Sequence, residues 1–508
     1  MNDYFTFFKR NLSVNSFLIF IGFIPLVFWV CNYINYDLWF DEIFSLKDYA
    51  LVDYKTTFFY YPGPNNHIFF NFLNQIVSRI FQLRDINLAT DYIYVFRVFQ
   101  LLISILTVLY GTLILKKHFN VKYYGLFAIV LLTTIPFLNF SLQLRGYNLS
   151  TLLLVMLLFY VFNYLKRKTY VSGFMVFLSS LLLLYTIPSN VYVLASLWIF
   201  VLIYAVYNFK KNKNCFGIDN FRNVLLLIAI GVITAFIFYL PIIEDLIFNK
   251  YSSRSYPGTF YIVSIVVETI PAFLSSRYLL VPLIFVGAYY FWKRQVHEQR
   301  FFLLLLLAVL ILPFGLAFLH QKAPFPRVFS PLAPISILLI LIVLDTLLQR
   351  VRNTKIASIF GYLISLYCLF TFYTQYKSNQ SLVIKENQLE KEFPPQGLYR
   401  NYYLANNFNP KSTLSSFSKL YEGNTVFIFE QYDKPAVRLY LDKYNVPFIE
   451  TDDINDIIKT VKQEKEVYIL TSKKEIVFKQ LNLTAEVSVT KVSGVENFPI
   501  IFKLELNK

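Results

Sequence analysis

The sequence predicts an α-helical polytopic membrane protein of about eleven transmembrane helices, closed by a small extracytoplasmic α/β domain. Three observations predict this class. The 508 residues are 56% hydrophobic and 19% aromatic with only 15% charged, outside the usual range of soluble enzymes. The apolar residues gather into runs of spanning length. From about residue 380 those runs shorten to strand length and alternate with charged helical stretches.

A spanning helix needs about 20 mostly apolar residues. Runs that meet this lie near residues 17–35, 93–115, 122–138, 148–164, 170–187, 190–207, 223–241, 277–292, 301–319, 330–348 and 356–375. The first follows Lys9 and Arg10 as a signal peptide would, but no small-residue cleavage pattern follows it, so it reads as a retained helix. Every second connection is short and basic: Lys116, Lys117 and Lys122; Lys166, Arg167 and Lys168; Lys210, Lys211, Lys213 and Arg222; Lys293, Arg294 and Arg300; Arg350, Arg352 and Lys355. Basic loops stay cytoplasmic, which predicts a cytoplasmic N-terminus and an extracytoplasmic C-terminus.

The net charge of +16 is thereby a topology signal rather than a nucleic-acid footprint, which would cluster Lys and Arg on one face among stacking residues. Cys31, Cys215 and Cys368 are isolated and indicate neither a disulfide framework nor a thiolate metal site. The sequence divides into a membrane domain, 1–378, with extracytoplasmic loops 36–92 and 242–276, and a soluble domain, 379–508. In the first loop, "HIFFNFLNQIVSRIF" spaces Ile68, Phe69, Phe72, Leu73, Ile76 and Ile80 as one apolar helix face, predicting an amphipathic helix in the interface. In the soluble domain, "TVFIFE" (425–430) and "EVYIL" (466–470) read as strands, and "DDINDIIKTVKQEKE" as a solvated helix.

The polar side chains collect on the outer face. "YDLWFDEIFSL" places Asp41 and Glu42 just beyond the first span, where a carboxylate can act as base or cation ligand, or simply solvate a juxtamembrane turn. Adjacent residues point in different directions, so the two acids would divide their work. "YYPGPNNHIFF" sets Asn66 and His67 before the amphipathic helix. Arg97 lies near the outer end of the second span, where a charge is costly unless paired or able to snorkel to the headgroups. "LQLRGYNLS" puts Arg145 and Tyr147 in the turn after the third span, and "FPRVFSPLAP" puts Arg327 at the start of the tenth. The loop "NKYSSRSYPGTF" adds Arg254 and Tyr256. Guanidinium groups bind phosphate oxygens bidentately, so outward arginines with an acid pair suit an anionic lipid with a reactive head.

In this order, "LWFDE", "NNH", "FRV", "LRGY" and "PRVFSPLAP" resemble the glycosyltransferase-C superfamily over roughly residues 15–375. More narrowly they are similar to the group of protein O-mannosyltransferases and the lipid A aminoarabinose transferase. The resemblance implies a polyprenyl-phosphate sugar donor, a lipid, glycan or protein acceptor, and a bacterial inner (cytoplasmic) membrane as the location. Asp41 matches the reactive aspartate, a general base, with Glu42 positioning acceptor or sugar. Arg97, Arg145, Tyr147 and Arg327 would bind the donor phosphate, and Asn66, His67, Arg254 and Tyr256 the acceptor or sugar. Arg327 is followed by Val328 where the group usually has Tyr. No nucleotide-phosphate Gly-rich loop is needed, and the sequence shows none; a divalent metal held by Asp41, Glu42 and His67 is conceivable. Displacement of a phosphate held by arginines needs one base and no acid, which predicts inversion at the anomeric carbon. The rival class is a lipid or glycolipid flippase, which usually carries a midplane site and broken helices in related halves.

Overall fold

The structure, a computed structural model, describes residues 14–211, 216–248, 260–275, 277–294, 297–320, 326–351, 354–381, 383, 405–431, 433–472, 487–493 and 497–506. Among these, eight helices are long and apolar enough to cross a membrane: Val14–Tyr33, Ile93–His118, Tyr147–Arg167, Pro188–Tyr207, Ile218–Ile247, His297–His320, Pro326–Leu348 and Lys355–Ser378. Two further expected spans are shorter apolar helices, Tyr170–Thr186 and Leu280–Arg294. The chain is an integral membrane protein, mostly helical, with a small C-terminal sheet. Its residues fall into two compact units.

The first unit comprises residues 1–34, 48–82 and 93–374 and holds the spans. Tyr147–Arg167 and Pro326–Leu348 are almost wholly buried, whereas Val14–Tyr33 and Ile218–Ile247 leave most of their surface outward. Gly22 lets the first span approach its neighbour: a Cβ there would stand 2.8 Å from the backbone nitrogen of Ile129.

The expected span near residues 122–138 is broken. Leu126–Leu132 and Ile135–Leu142 are separate helices with Thr133 and Thr134 between them. Pro136 explains the break, because its ring excludes the carbonyl of residue 132 from a continuous helix at a cost of about 3 kcal/mol. The carbonyls freed at the end of the first half need donors. Arg277, buried, reaches the break, its Nη1 donating to the Val130 carbonyl at 2.9 Å and its Nη2 to the Thr133 hydroxyl at 2.7 Å.

The amphipathic helix forms over Ile68–Ile80. Its buried residues are Ile68, Phe70, Asn71, Asn74, Gln75 and Ser78, whereas Phe69, Phe72, Leu73 and Ile76 are half-buried and Ile80 is exposed. Most of the expected apolar face is thus left partly open, as in a helix lying in the interface. The polar side organises the preceding loop: the Gln75 amide donates to the Val52 carbonyl, and Asn71 Nδ2 donates to Asn66 Oδ1 at 3.0 Å.

The second unit comprises 35–47, 83–92 and 375–508, so both ends of the first long loop belong with the C-terminal domain. Five strands are ordered β2-β1-β3-β5-β4: β1 Val426–Ile428, β2 Ile449–Glu450, β3 Glu466–Leu470, β4 Val487–Lys491 and β5 Ile501–Leu506. β1 pairs in parallel with β2 and β3, and β5 pairs antiparallel with β3 and β4. Helices Lys434–Lys443 and Ile454–Glu464 make the crossovers that parallel pairing requires. Ile457 and Val461 from the second helix pack on Phe427, Val467, Ile469, Phe502 and Leu504 of the sheet. The stretch read as a solvated helix therefore has one buried edge.

Candidate functional site

Within the helical unit, the candidate site is built on the turn Gln143–Gly146. The Arg145 N–H donates to the Gln143 carbonyl at 2.8 Å, folding the chain back after Ile135–Leu142. Gln100, a polar residue inside the second span, fixes this turn: its Nε2 donates to the carbonyls of Gln143 at 2.9 Å and Arg145 at 3.2 Å. Asn148 Nδ2 donates to the Gln100 carbonyl at 2.9 Å. The sequence reading passed over Gln100 and Asn148, although amides in apolar runs signal buried polar partners.

The turn delivers Arg145 and Gly146 to the "NNH" stretch. Arg145 is 1% exposed, with Nη1 3.3 Å from the Asn65 carbonyl oxygen and Nη2 3.1 Å from Asn65 Oδ1. The Gly146 N–H donates to His67 Nδ1 at 2.8 Å. A side chain at 146 would interfere, since a Cβ there would lie 2.9 Å from His67 Nδ1 and from Thr186 Cγ2. The glycine of "LRGY" thus serves close approach.

That hydrogen bond also sets the tautomer. Nδ1 accepts, so the proton of the neutral ring is on Nε2. Burial holds His67 well below its ordinary pKa, and the charges of Arg145 and Arg327 lower it further. Arg145 Nη2 lies 3.4 Å from His67 Nε2. With the ring proton on Nε2 both groups are donors, so an anion that approached them would meet two. Tyr147 closes one side: its ring meets His67 edge-on at 5.0 Å, and the Arg145 guanidinium stands 5.9 Å from its centroid. Burial raises the phenol pKa of Tyr49 and Tyr61, a rise that the Arg145 charge opposes, so both are neutral donors.

The other expected ligands divide. Asn66 is buried and holds the loop, its Nδ2 donating to the carbonyls of Thr57 and Tyr60, each at 3.0 Å. Asn65, quoted in the same stretch but given no role there, is the asparagine that meets Arg145. Arg97 is buried and its Nη1 donates to Tyr33 O at 3.0 Å and Ile34 O at 2.9 Å, capping the end of the first span. Arg327 is half-buried in the 3₁₀ segment Pro326–Leu332. Arg254 and Tyr256 lie outside the described residues.

Asp41 and Glu42 belong to the second unit. They sit in the first turn of the short helix Phe40–Phe44, and both are buried. Trp39 is the N-cap, and its N–H points at Glu42 Oε2 at 3.5 Å, the reciprocal half of a capping box. Glu42 therefore has a backbone partner in its own turn. Among the described residues, no three His, Cys, Asp or Glu side chains gather to hold a metal ion.

No family model matches the chain, and no curated protein matches it in sequence. Its structure is similar to that of ArnT from Cupriavidus metallidurans in the apo state, with TM-score 0.55 at 13% identity over 96% of this chain and 98% of that one. Against ArnT bound to undecaprenyl phosphate the TM-score is 0.51 at 11% identity, over 97% and 98% of the two chains. The archaeal oligosaccharyltransferase AglB from Archaeoglobus fulgidus, in complex with an inhibitory peptide and a dolichol-phosphate, gives 0.50 at 14% identity over 91% of this chain and 70% of that one. The chain shares the fold of these structures.

Proposed function

We propose that the chain is a membrane glycosyltransferase that moves a sugar from a polyprenyl-phosphate donor to an acceptor on the extracytoplasmic face. The observation that carries this reading is the buried Arg145 guanidinium set beside His67, with Nη2 and Nε2 3.4 Å apart. A phosphate oxygen is an acceptor of the right charge, and buried donors held in advance stabilise it without reorganisation. Arg327 adds charge. His67 on this reading helps hold phosphate rather than acceptor or sugar. Arg97 holds the first span, and Tyr147 backs Arg145.

Asp41 acts as the general base. Its carboxylate takes the proton of the acceptor hydroxyl as the acceptor oxygen bonds to the anomeric carbon. The bond from that carbon to the phosphate oxygen breaks, and its electron pair leaves with the polyprenyl phosphate, whose charge the arginines hold. One displacement inverts the anomeric centre. Glu42 holds the turn that carries Asp41. The undecaprenyl phosphate and dolichol-phosphate bound by ArnT and AglB support this donor class. The broken third span does not by itself favour a flippase, because Arg277 binds the Val130 carbonyl at the break.

Asp41→Asn preserves shape and removes basicity, so turnover should fall by orders of magnitude, about 10²–10⁴-fold, while a short-chain polyprenyl phosphate still binds. Near-normal turnover by the purified variant would end the base assignment. Orientation is tested by replacing the native cysteines and placing one at Asp452 or at Tyr170, both exposed. An impermeant thiol reagent should label the first in intact cells and spare the second.

A further inference from the structure

The C-terminal domain carries a fully buried carboxylate that the proposed chemistry does not use, that of Asp433. Its Oδ1 accepts the Ala436 N–H at 3.2 Å, capping its own helix Lys434–Lys443. Its Oδ2 accepts the Phe40 N–H, also at 3.2 Å. Phe40 opens the helix that carries Asp41 and Glu42. One carboxylate therefore caps two helices, far apart in sequence.

The same segment is held at further points. The Lys411 N–H donates to Asp37 Oδ2 at 2.8 Å, and the Tyr36 hydroxyl donates to the Ala405 carbonyl. The other loop end is fastened through Asp91, which takes Lys411 Nζ at 2.6 Å and Lys443 Nζ at 2.8 Å. Lys443 stands at the end of the helix that Asp433 begins. The Asp433 bond reaches the acidic helix itself.

We propose that Asp433 is a positioning residue for the reaction: it fixes the acidic turn on the C-terminal domain and so sets where Asp41 points. The domain is then part of the catalytic apparatus through its grip on that turn. This rests on Asp41 being the base, and the test separates the two ideas.

Asp433→Asn is the informative variant. Asparagine is as good an N-cap as aspartate, so helix Lys434–Lys443 keeps its cap. Its side chain has one acceptor oxygen where two N–H groups need two, so Phe40 loses its partner. Full-length protein in nanodiscs, assayed by hydrogen exchange, should show the peptide spanning residues 36–46 exchanging about tenfold faster, a change typical of losing one hydrogen bond to a charged group, with residues 434–443 unaltered. Turnover should fall about tenfold with the donor KM unchanged. Asp452→Asn, which removes only the exposed contact to Lys434, should alter neither readout. Unchanged exchange at 36–46 overturns the tether. Faster exchange with wild-type turnover, while Asp41→Asn is inactive, reduces Asp433 to a structural cap and overturns the positioning role. Wild-type turnover in Asp41→Asn overturns the base instead and leaves the tether to be judged by exchange alone.

Discussion

Arg97 and Arg145 are both guanidinium groups buried near the ends of apolar segments, yet they meet different partners. Arg97 faces the carbonyls of Tyr33 and Ile34, acceptors that a finished helix end must have satisfied. Arg145 faces an asparagine and the protonated nitrogen of a histidine, a donor. An arginine spent on helix-end carbonyls completes structure, whereas an arginine that also stands beside a second donor can take an anion. Burial alone does not separate the two roles; the character of the neighbour does.

The comparison is tested most strongly at Arg145. Arg145→Ala should weaken binding of a short-chain polyprenyl phosphate by about 10–150-fold, the loss of one charged hydrogen-bond partner at about 1.5–3 kcal/mol. Arg145→Lys keeps the charge without the planar fork and should recover only part of it. Arg97→Ala should leave donor affinity within about threefold while lowering stability by about 1–3 kcal/mol, because it strands buried carbonyls. A donor affinity that falls equally for both alanine variants would erase the distinction.

His67 gives a pH test of intermediate size. Its folded pKa lies below the unfolded value, so the unfolded chain binds one more proton once the pH falls below about 6.5. Stability from this group is complete above that pH and should decline by about 1.4 kcal/mol per pH unit below it. His67→Gln should flatten that part of the stability curve.

The smallest expected effect is at Asp91. Burial raises its pKa, but hydrogen bonds and charge from Lys411 and Lys443 outweigh that and leave the carboxyl below its ordinary value. Its contribution is present above the ordinary carboxylate pKa and lost as the pH falls through the lowered one. With a half-exposed side chain, Asp91→Asn should cost less than about 1 kcal/mol in thermal unfolding at neutral pH.

Much of the fold is local and was legible as such. Apolar runs of spanning length, the strand "EVYIL" over β3, and the helix over residues 68–80 depend on periodicities within a few turns of chain, and the structure keeps them. The break in the third span was legible too, in Pro136, but apolar content alone ran the helix through it. The order of short motifs pointed to the fold that the chain shares with ArnT and AglB. What the sequence could not settle is which partner each buried polar group has, because that choice joins distant segments. Gly146 meets His67 across 79 residues, and Phe40 meets Asp433 across 393. A buried donor must find an acceptor somewhere, and only the packed chain decides where, so the sequence by itself determined which residues would be needed and the tertiary structure decided that Arg97 would close a helix, Arg145 would face a second donor, and a carboxylate of the C-terminal domain would hold the acidic turn.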